Sequence, residues 1–194
     1  MKNLVIGSLC LLSIATLTSA NPEKKWSIEM RGNMAAPLQD LGKYELNPGF
    51  GLETTASYNF KHHMAIYAGW GWQHFSADNN PNAGNKLDFE ETGYRFGFQF
   101  VHPIGTAKLS YLISAGGVFN HIEAENSDGD IVADTGHGLG GELGAGLIFR
   151  ISDSWSFMPS VRYQYLPQTI DLYGKESDFD LSYMACAASF IWSF

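Results

Sequence analysis

Residues 91–100 read Glu-Thr-Gly-Tyr-Arg-Phe-Gly-Phe-Gln-Phe, so every second side chain from Tyr94 to Phe100 is aromatic. The side chains between these rings are arginine, glycine and glutamine. Because successive side chains of a β-strand point to opposite faces, this order predicts a strand with one aromatic face and one small or polar face.

The same period of two recurs along most of the chain. The alternating segments, eight in all, span 26–34, 50–60, 64–73, 91–100, 109–120, 139–149, 155–165 and 184–194. The connections alternate in length, with long polar ones near 37–48, 76–88, 122–137 and 167–180 and short ones at 59–63, 102–107 and 152–154. This order is typical of a meander with loops at one rim and tight turns at the other. We therefore predict an all-β fold, an eight-stranded antiparallel up-and-down barrel.

The two faces of these strands differ in the solvent that they suit. The apolar face carries many large rings, and the opposite face carries mostly glycine, serine and a few charged residues. A soluble barrel of eight strands would turn the rings inward, where only modest side chains fit. Turning the rings toward lipid removes this conflict, and closure of the barrel leaves no unpaired strand edge in the hydrocarbon. We therefore favour a transmembrane barrel over a soluble barrel or sandwich.

The amino-acid composition agrees with a barrel wall that faces lipid outside and a polar interior. Charged residues make up 16% of the chain, against about 25% in typical soluble domains. The mean hydropathy of −0.12 argues against a bundle of membrane helices. The formal net charge of −8 disfavours nucleic acid as a partner.

The first twenty residues have the organisation of a secretory signal peptide. A short basic head is followed by the apolar run 4–17 and by the small residues Thr18-Ser19-Ala20. We predict cleavage after Ala20, which makes residues 1–20 a signal peptide and residues 21–194 one barrel domain. Cys10 would leave with the signal, so Cys186 would have no partner for an intrachain disulfide.

Tryptophan and tyrosine on the apolar face are candidates for the two membrane–water interfaces. These rings combine an apolar body with an N–H or O–H group that stays hydrated at the bilayer edge. The predicted interface residues are Trp26, Trp70, Trp72, Trp155, Tyr163 and Trp192.

Two stretches resemble a known family. The chain ends in Phe190-Ile191-Trp192-Ser193-Phe194, which is similar to the terminal insertion signal of bacterial outer-membrane proteins and singles out Phe190, Trp192 and Phe194. The stretch from Gly140 to Tyr165 resembles the penultimate hairpin of the small eight-stranded barrels of the OmpA/OmpX and opacity-protein type. This hairpin contains Gly-x-Glu-Leu-Gly-Ala-Gly-Leu from Gly140, then Ser-Asp-Ser-Trp at 152–155.

The resemblance implies a protein of the bacterial outer membrane, with both termini in the periplasm and the long loops outside. It implies outer-membrane lipid, lipopolysaccharide and the barrel-assembly machinery as partners, and a monomer as the assembly. Members of this superfamily differ in role, so the resemblance is weak evidence for a specific function.

Charged residues at the alternate strand positions that face the barrel interior are the first candidates for a functional site. They are Glu29, Arg31, Glu53, Glu91, Arg95, Glu142 and Arg162. Charges in a narrow barrel must pair, because unpaired burial costs several kcal/mol for each ion. We predict that they close the lumen and that the protein has a structural or surface-interaction role, with four acidic extracellular loops. The alternative is a narrow channel for small or apolar solutes, in which these pairs rearrange.

A second alternative is a lipid A-modifying hydrolase. His74 and Ser76 lie two residues apart on the outward face, and Glu90 has the same parity on the next strand. The set resembles that of outer-membrane lipid A deacylases, in which a histidine activates a serine. Ala77 replaces the asparagine expected after the serine, so we predict no enzymatic activity and no catalytic residues.

The long connections near 122–137 and 167–180 are acidic and could share divalent cations with lipopolysaccharide phosphates. Their carboxylates are Glu123, Glu125, Asp128, Asp130, Asp134, Asp171, Glu176, Asp178 and Asp180. Neither these residues nor the histidines have the spacing of a metal-binding motif. We therefore predict no metal and no cofactor.

Overall fold

The computed structural model describes residues 24–41, 44–78, 87–105, 108–126, 128–172 and 175–194. The predicted signal peptide and its cleavage site after Ala20 lie outside these residues. No helix among the described residues is long and apolar enough to cross a membrane.

Eight long strands form a closed antiparallel barrel, so the predicted fold class is confirmed. They are β1 (Trp26–Pro37), β3 (Gly49–Lys61), β4 (Met64–Asp78), β5 (Leu87–Pro103), β6 (Leu109–Glu125), β8 (Gly138–Arg150), β9 (Trp155–Leu166) and β12 (Leu181–Ser193). The first and last strands pair from Ser27 opposite Ser193 to Pro37 opposite Tyr183, which closes the barrel.

The two ends of the barrel differ, and we call them the turn end and the loop end. The short connections lie at the turn end together with the start of β1 and the C-terminal residue, where Phe194 N–H donates to Trp26 O at 2.9 Å. The loop end carries the long connections and four short strands, β2 (Glu45–Leu46), β7 (Ile131–Asp134), β10 (Thr169–Leu172) and β11 (Lys175–Asp178). Sequence periodicity did not predict these short strands, because two to four residues are too few to show an alternating pattern.

Alternation along β5 places its rings outside and its polar side chains inside. Tyr94, Phe96, Phe98 and Phe100 are each between 37% and 59% exposed. Glu91, Arg95 and Gln99, which point to the opposite face of the same strand, are at most 9% exposed.

The interior toward the loop end is apolar, which differs from the expected glycine, serine and charges. Fourteen buried residues form this apolar core: Ala35, Leu41, Leu46, Phe75, Ala77, Phe89, Val118, Ile122, Ala124, Leu166, Phe179, Leu181, Tyr183 and Ala185. The reason is strand length. The strands β5 and β6 have 17 residues each, whereas a tilted strand crosses the hydrocarbon with about 9–11. The strands are therefore longer than a membrane crossing needs, and their surplus at the loop end buries apolar side chains inside the barrel as a soluble protein does.

Candidate functional site

Glu53 on β3 lies inside the barrel and is the common partner of three arginines. Arg162 on β9 donates from Nη1 to Glu53 Oε2 at 2.7 Å and from Nη2 to Glu53 Oε1. Arg95 on β5 also donates to Glu53 Oε2, and Arg31 Nη1 on β1 lies 3.7 Å from that oxygen. Arg31 in turn donates from Nε to Glu29 Oε1 at 2.8 Å. Charge-assisted hydrogen bonds of this kind compensate for the lost hydration of the carboxylate and the guanidinium groups.

Glu142 on β8 is a second carboxylate between two of these arginines. Its Oε2 lies 3.1 Å from Arg95 Nη2 and 3.5 Å from Arg162 Nε. Tyr67 on β4 donates its hydroxyl to Glu142 Oε1 at 2.6 Å. Gly116 on β6 leaves space for this ring, because a Cβ atom there would collide with the Tyr67 hydroxyl oxygen.

Glu91 on β5 is held by neutral donors. The side-chain amides of Asn120 on β6 and Gln164 on β9 donate to its Oε1. The hydroxyl of Tyr183 on β12 donates to its Oε2 at 3.0 Å. Glu91 is 2% exposed, so these donors replace the water that its carboxylate has lost.

We call the connected interior side chains the lumen network: Glu29, Arg31, Asn33, Glu53, Tyr67, Glu91, Arg95, Asn120, Glu142, Arg162, Gln164 and Tyr183. Each of the eight barrel strands contributes at least one member. The structure brings together all seven charged residues named from the sequence, and it adds five neutral ones. The alternating pattern placed Asn33, Tyr67, Asn120 and Gln164 on the interior face, but it did not show that they donate to carboxylates. Tyr183 precedes the predicted segment 184–194 and was missed.

Little space is left beside the lumen network. A cavity of about 10 Å³ remains between Glu53, Gln73, Glu91 and Arg95. A single water molecule needs about 10–15 Å³ measured in this way. This cavity is therefore about large enough for one water.

The aromatic residues assigned to the interfaces all lie on outward faces. Trp26, Trp155 and Trp192 lie at the turn end, where the two indoles of β9 and β12 are stacked with centroids 6.4 Å apart. Trp70, Trp72 and Tyr163 lie nearer the loop end on β4 and β9. Phe190 and Trp192 on β12 and Phe194 directly after it form one outward row, and they are exposed by 55%, 41% and 49%.

The outward set His74, Ser76 and Glu90 is only partly assembled. His74 Nδ1 lies 3.5 Å from Glu90 Oε1, and Trp72 Nε1–H donates to Glu90 Oε2 at 2.9 Å. The strand register places Ser76 opposite Asp88 and not opposite Glu90. No hydrogen bond within the described part of the chain joins the Ser76 hydroxyl to His74, so the contact that would activate the serine is missing.

A second cluster lies on the outer wall at the loop end, and sequence reasoning missed it. His121, Glu123 and Asp134 each bring one ligand atom to within 4.8 Å of the others. His121 also stacks on His137, with ring centroids 4.6 Å apart. Thirteen residues separate His121 from Asp134, and only the pairing of β6 with β7 brings them together. The acidic composition of the connection near 122–137 was the one feature of the sequence that pointed to this cluster.

The comparisons with known proteins agree with the architecture. The model of the outer membrane protein beta-barrel domain family matches residues 6–194. No curated protein matches the chain in sequence.

Solved structures of the same fold include three bacterial outer-membrane proteins of low sequence identity. Neisserial surface protein A is 11% identical, with a TM-score of 0.64 over 87% of this chain and 97% of that one. OprG from Pseudomonas aeruginosa is 14% identical, with a TM-score of 0.60 over 88% and 97%. Outer membrane protein W of E. coli is 14% identical, with a TM-score of 0.57 over 89% and 100%. At such identities these structures establish the fold alone.

Proposed function

Because the chain belongs to the outer membrane protein beta-barrel domain family, we propose that it is a closed structural barrel of the bacterial outer membrane. Its loop end faces outward and presents the long acidic connections to the surroundings. The observation that carries this proposal is the lumen network, in which one buried carboxylate meets three arginines. Removing one partner from such a pair costs about 3–5 kcal/mol, so opening the network by thermal motion is rare.

A solute path through the barrel is disfavoured on two grounds. The space beside the network holds about one water, and an eight-stranded wall encloses little more than its own side chains. The apolar core closes the interior a second time toward the loop end. We therefore prefer the structural role to the narrow channel, although the fold itself does not decide between them.

We also propose that the protein is not an enzyme. The histidine that would act as a base pairs with Glu90, while Ser76 lies beside Asp88. A nucleophile and its base need to lie within about 2.6–3.2 Å of each other, and no such contact involves this serine in the described chain.

The proposed partners are those of an outer-membrane barrel. Outer-membrane lipid contacts the aromatic wall, lipopolysaccharide surrounds the outward-facing rim, and the barrel-assembly machinery binds the terminal aromatic row during insertion. The chain closes its own sheet by pairing β1 with β12, so a monomer needs no strand from a second copy.

Vesicle swelling tests the proposed closure. The refolded protein is reconstituted into liposomes that are then placed in an isotonic arabinose solution, beside protein-free liposomes and liposomes that contain a general diffusion porin. We expect the swelling rate to equal that of protein-free liposomes. Swelling above this background, in a sample whose folding is verified by its heat-modifiable gel mobility, would contradict the closed barrel.

A further inference from the structure

Four strands place ionisable side chains in one outward row at the loop end. The register sets His74 opposite Glu90, Glu90 opposite Glu123, and Glu123 opposite Asp134. Like charges directly opposite each other on one face of a sheet are destabilising. Three carboxylates in adjacent positions therefore need a compensating cation.

The compensation for Glu90 is visible, whereas that for the other two carboxylates is incomplete. Glu90 accepts the Trp72 indole N–H and lies next to His74. Among the ion pairs of the described residues, Glu123 and Asp134 are joined to His121 but to no lysine or arginine. One imidazole thus faces two carboxylates here, and an imidazole nitrogen is a common ligand of metal ions.

The distances at this position match a metal centre. His121 Nδ1 lies 3.4 Å from Asp134 Oδ1 and 3.8 Å from Glu123 Oε1. In a tetrahedral zinc site the ligand atoms lie about 2.0–2.1 Å from the ion, which puts neighbouring ligands about 3.3–3.4 Å apart. The distance between His121 and Asp134 already matches this spacing, whereas the Glu123 carboxylate, whose ligand atom lies within 4.8 Å of the other two, would have to move closer to them.

The surrounding contacts hold two of the three ligands in place. Asp134 Oδ1 accepts the Gly136 backbone N–H at 2.8 Å. The His121 ring stacks on His137 with an interplanar angle of 12°, and His137 in turn packs against Phe119. Hydrogen bonds that orient ligands in this way are characteristic of metal sites, where their loss weakens binding about 10–100-fold.

The surrounding hairpin is also fixed. Thr135 accepts the Ile122 backbone N–H on its side-chain oxygen at 2.9 Å, and its own N–H donates to Ile122 O at 3.0 Å. These bonds tie the end of β7 to β6 beside the cluster, so that a metal would not have to order the loop on binding.

We propose that His121, Glu123 and Asp134 bind a first-row transition metal, with Zn²⁺ as the best match, on the outer wall at the loop end. Imidazole suits Zn²⁺, whereas Ca²⁺ and Mg²⁺ prefer oxygen ligands throughout. The Asp134 side chain is 47% exposed, so the fourth position faces solvent and is available to water. The site would neutralise the acidic row where the wall leaves the membrane.

Isothermal titration of ZnCl₂ into the untagged, refolded chain in detergent micelles tests the proposal. Histidines 62, 63 and 102 cluster at the opposite end, where the His63 and His102 rings lie 4.8 Å apart. The titrations are therefore made in a His102→Ala background, so that this second group does not contribute. We expect one zinc per chain, and CoCl₂ is expected to give the visible absorption of tetrahedral Co²⁺.

The variants His121→Ala and Asp134→Asn are expected to weaken zinc binding at least about tenfold. Asp128→Asn, an exposed carboxylate at the tip of the same hairpin, is the matched control and is expected to bind zinc like its parent. Circular dichroism and heat-modifiable mobility verify that each variant is folded. The proposal is overturned if folded His121→Ala and Asp134→Asn bind zinc as tightly as the parent. It is also overturned if CaCl₂ displaces zinc at equal concentration, because the cluster would then be a nonspecific acidic surface.

Discussion

Replacing Glu53 by glutamine keeps the shape of the side chain and removes the charge that faces three arginines. The Arg95 and Arg162 side chains are each 5% exposed, so neither guanidinium group can turn to water without breaking the interior. Glu142 would remain as the only carboxylate in contact with both. Breaking a buried ion pair by removing one partner costs about 3–5 kcal/mol, and we expect Glu53→Gln to lower the free energy of unfolding by that amount.

Equilibrium urea unfolding in lipid vesicles, followed by tryptophan fluorescence, measures this difference. Glu125→Gln is the matched control, because this carboxylate lies on the outer wall at the loop end and has no contact with the lumen network. We expect the control to change the free energy of unfolding by no more than about 0.5 kcal/mol.

A double variant separates the ion pair from general disruption. Arg162→Met removes one arginine from Glu53, and the pair Glu53→Gln with Arg162→Met is expected to lose less than the sum of the two single losses. If Glu53→Gln unfolds within about 0.5 kcal/mol of the parent, or if the two losses simply add, the reasoning from the buried network is wrong.

Three further predictions concern packing, insertion and chemistry. Gly116→Ala is expected to prevent refolding or to destabilise the folded barrel strongly, since a Cβ atom there meets a backbone oxygen of the adjacent strand. Gly141→Ala, whose Cβ atom would have no neighbour nearer than 3.8 Å, is the control and is expected to refold normally. Gel mobility measures the folded fraction of both variants. Phe194→Ala is expected to reduce the amount of this protein in isolated outer membranes. Phe60→Ala removes another exposed ring at the turn end and is expected to reduce that amount much less. Equal losses in the two variants would refute the insertion signal. Purified protein incubated with lipid A is expected to release no acyl chains by mass spectrometry, and release that disappears in Ser76→Ala would establish the hydrolase instead.

Much of the barrel follows from parity in the sequence. The alternation from Glu91 to Phe100 assigns each side chain to the wall or to the interior, and the structure has the same assignment. Parity also identified Glu53 and Arg162 as interior charges. The need for pairing predicted a network of these charges, but not that these two residues, 109 positions apart, are direct partners, because that contact depends on the register of the strands between them. Sequence periodicity describes one strand at a time, whereas an ion pair across the lumen depends on the tilt and stagger of the whole barrel.

The sequence pattern did not predict the apolar core or the cluster of His121, Glu123 and Asp134, for related reasons. Phe75 and Phe89 have the same parity as the polar interior residues, so the pattern alone did not show that the strands continue past the membrane into a dry interior. His121 and Asp134 meet because the connection folds back on itself as β7. Four residues are too short for a periodic signal, and the histidine and the carboxylates therefore appeared scattered.

Conductance across a planar lipid bilayer bears most directly on closure of the lumen. Wild-type protein, inserted and verified as folded, is expected to give no current above a protein-free bilayer in potassium chloride, because the lumen network and the apolar core both obstruct the interior. A general diffusion porin inserted under the same conditions serves as the positive comparison, since it gives stepwise currents. Stepwise currents from folded wild-type protein would contradict the closed barrel and establish the channel in its place.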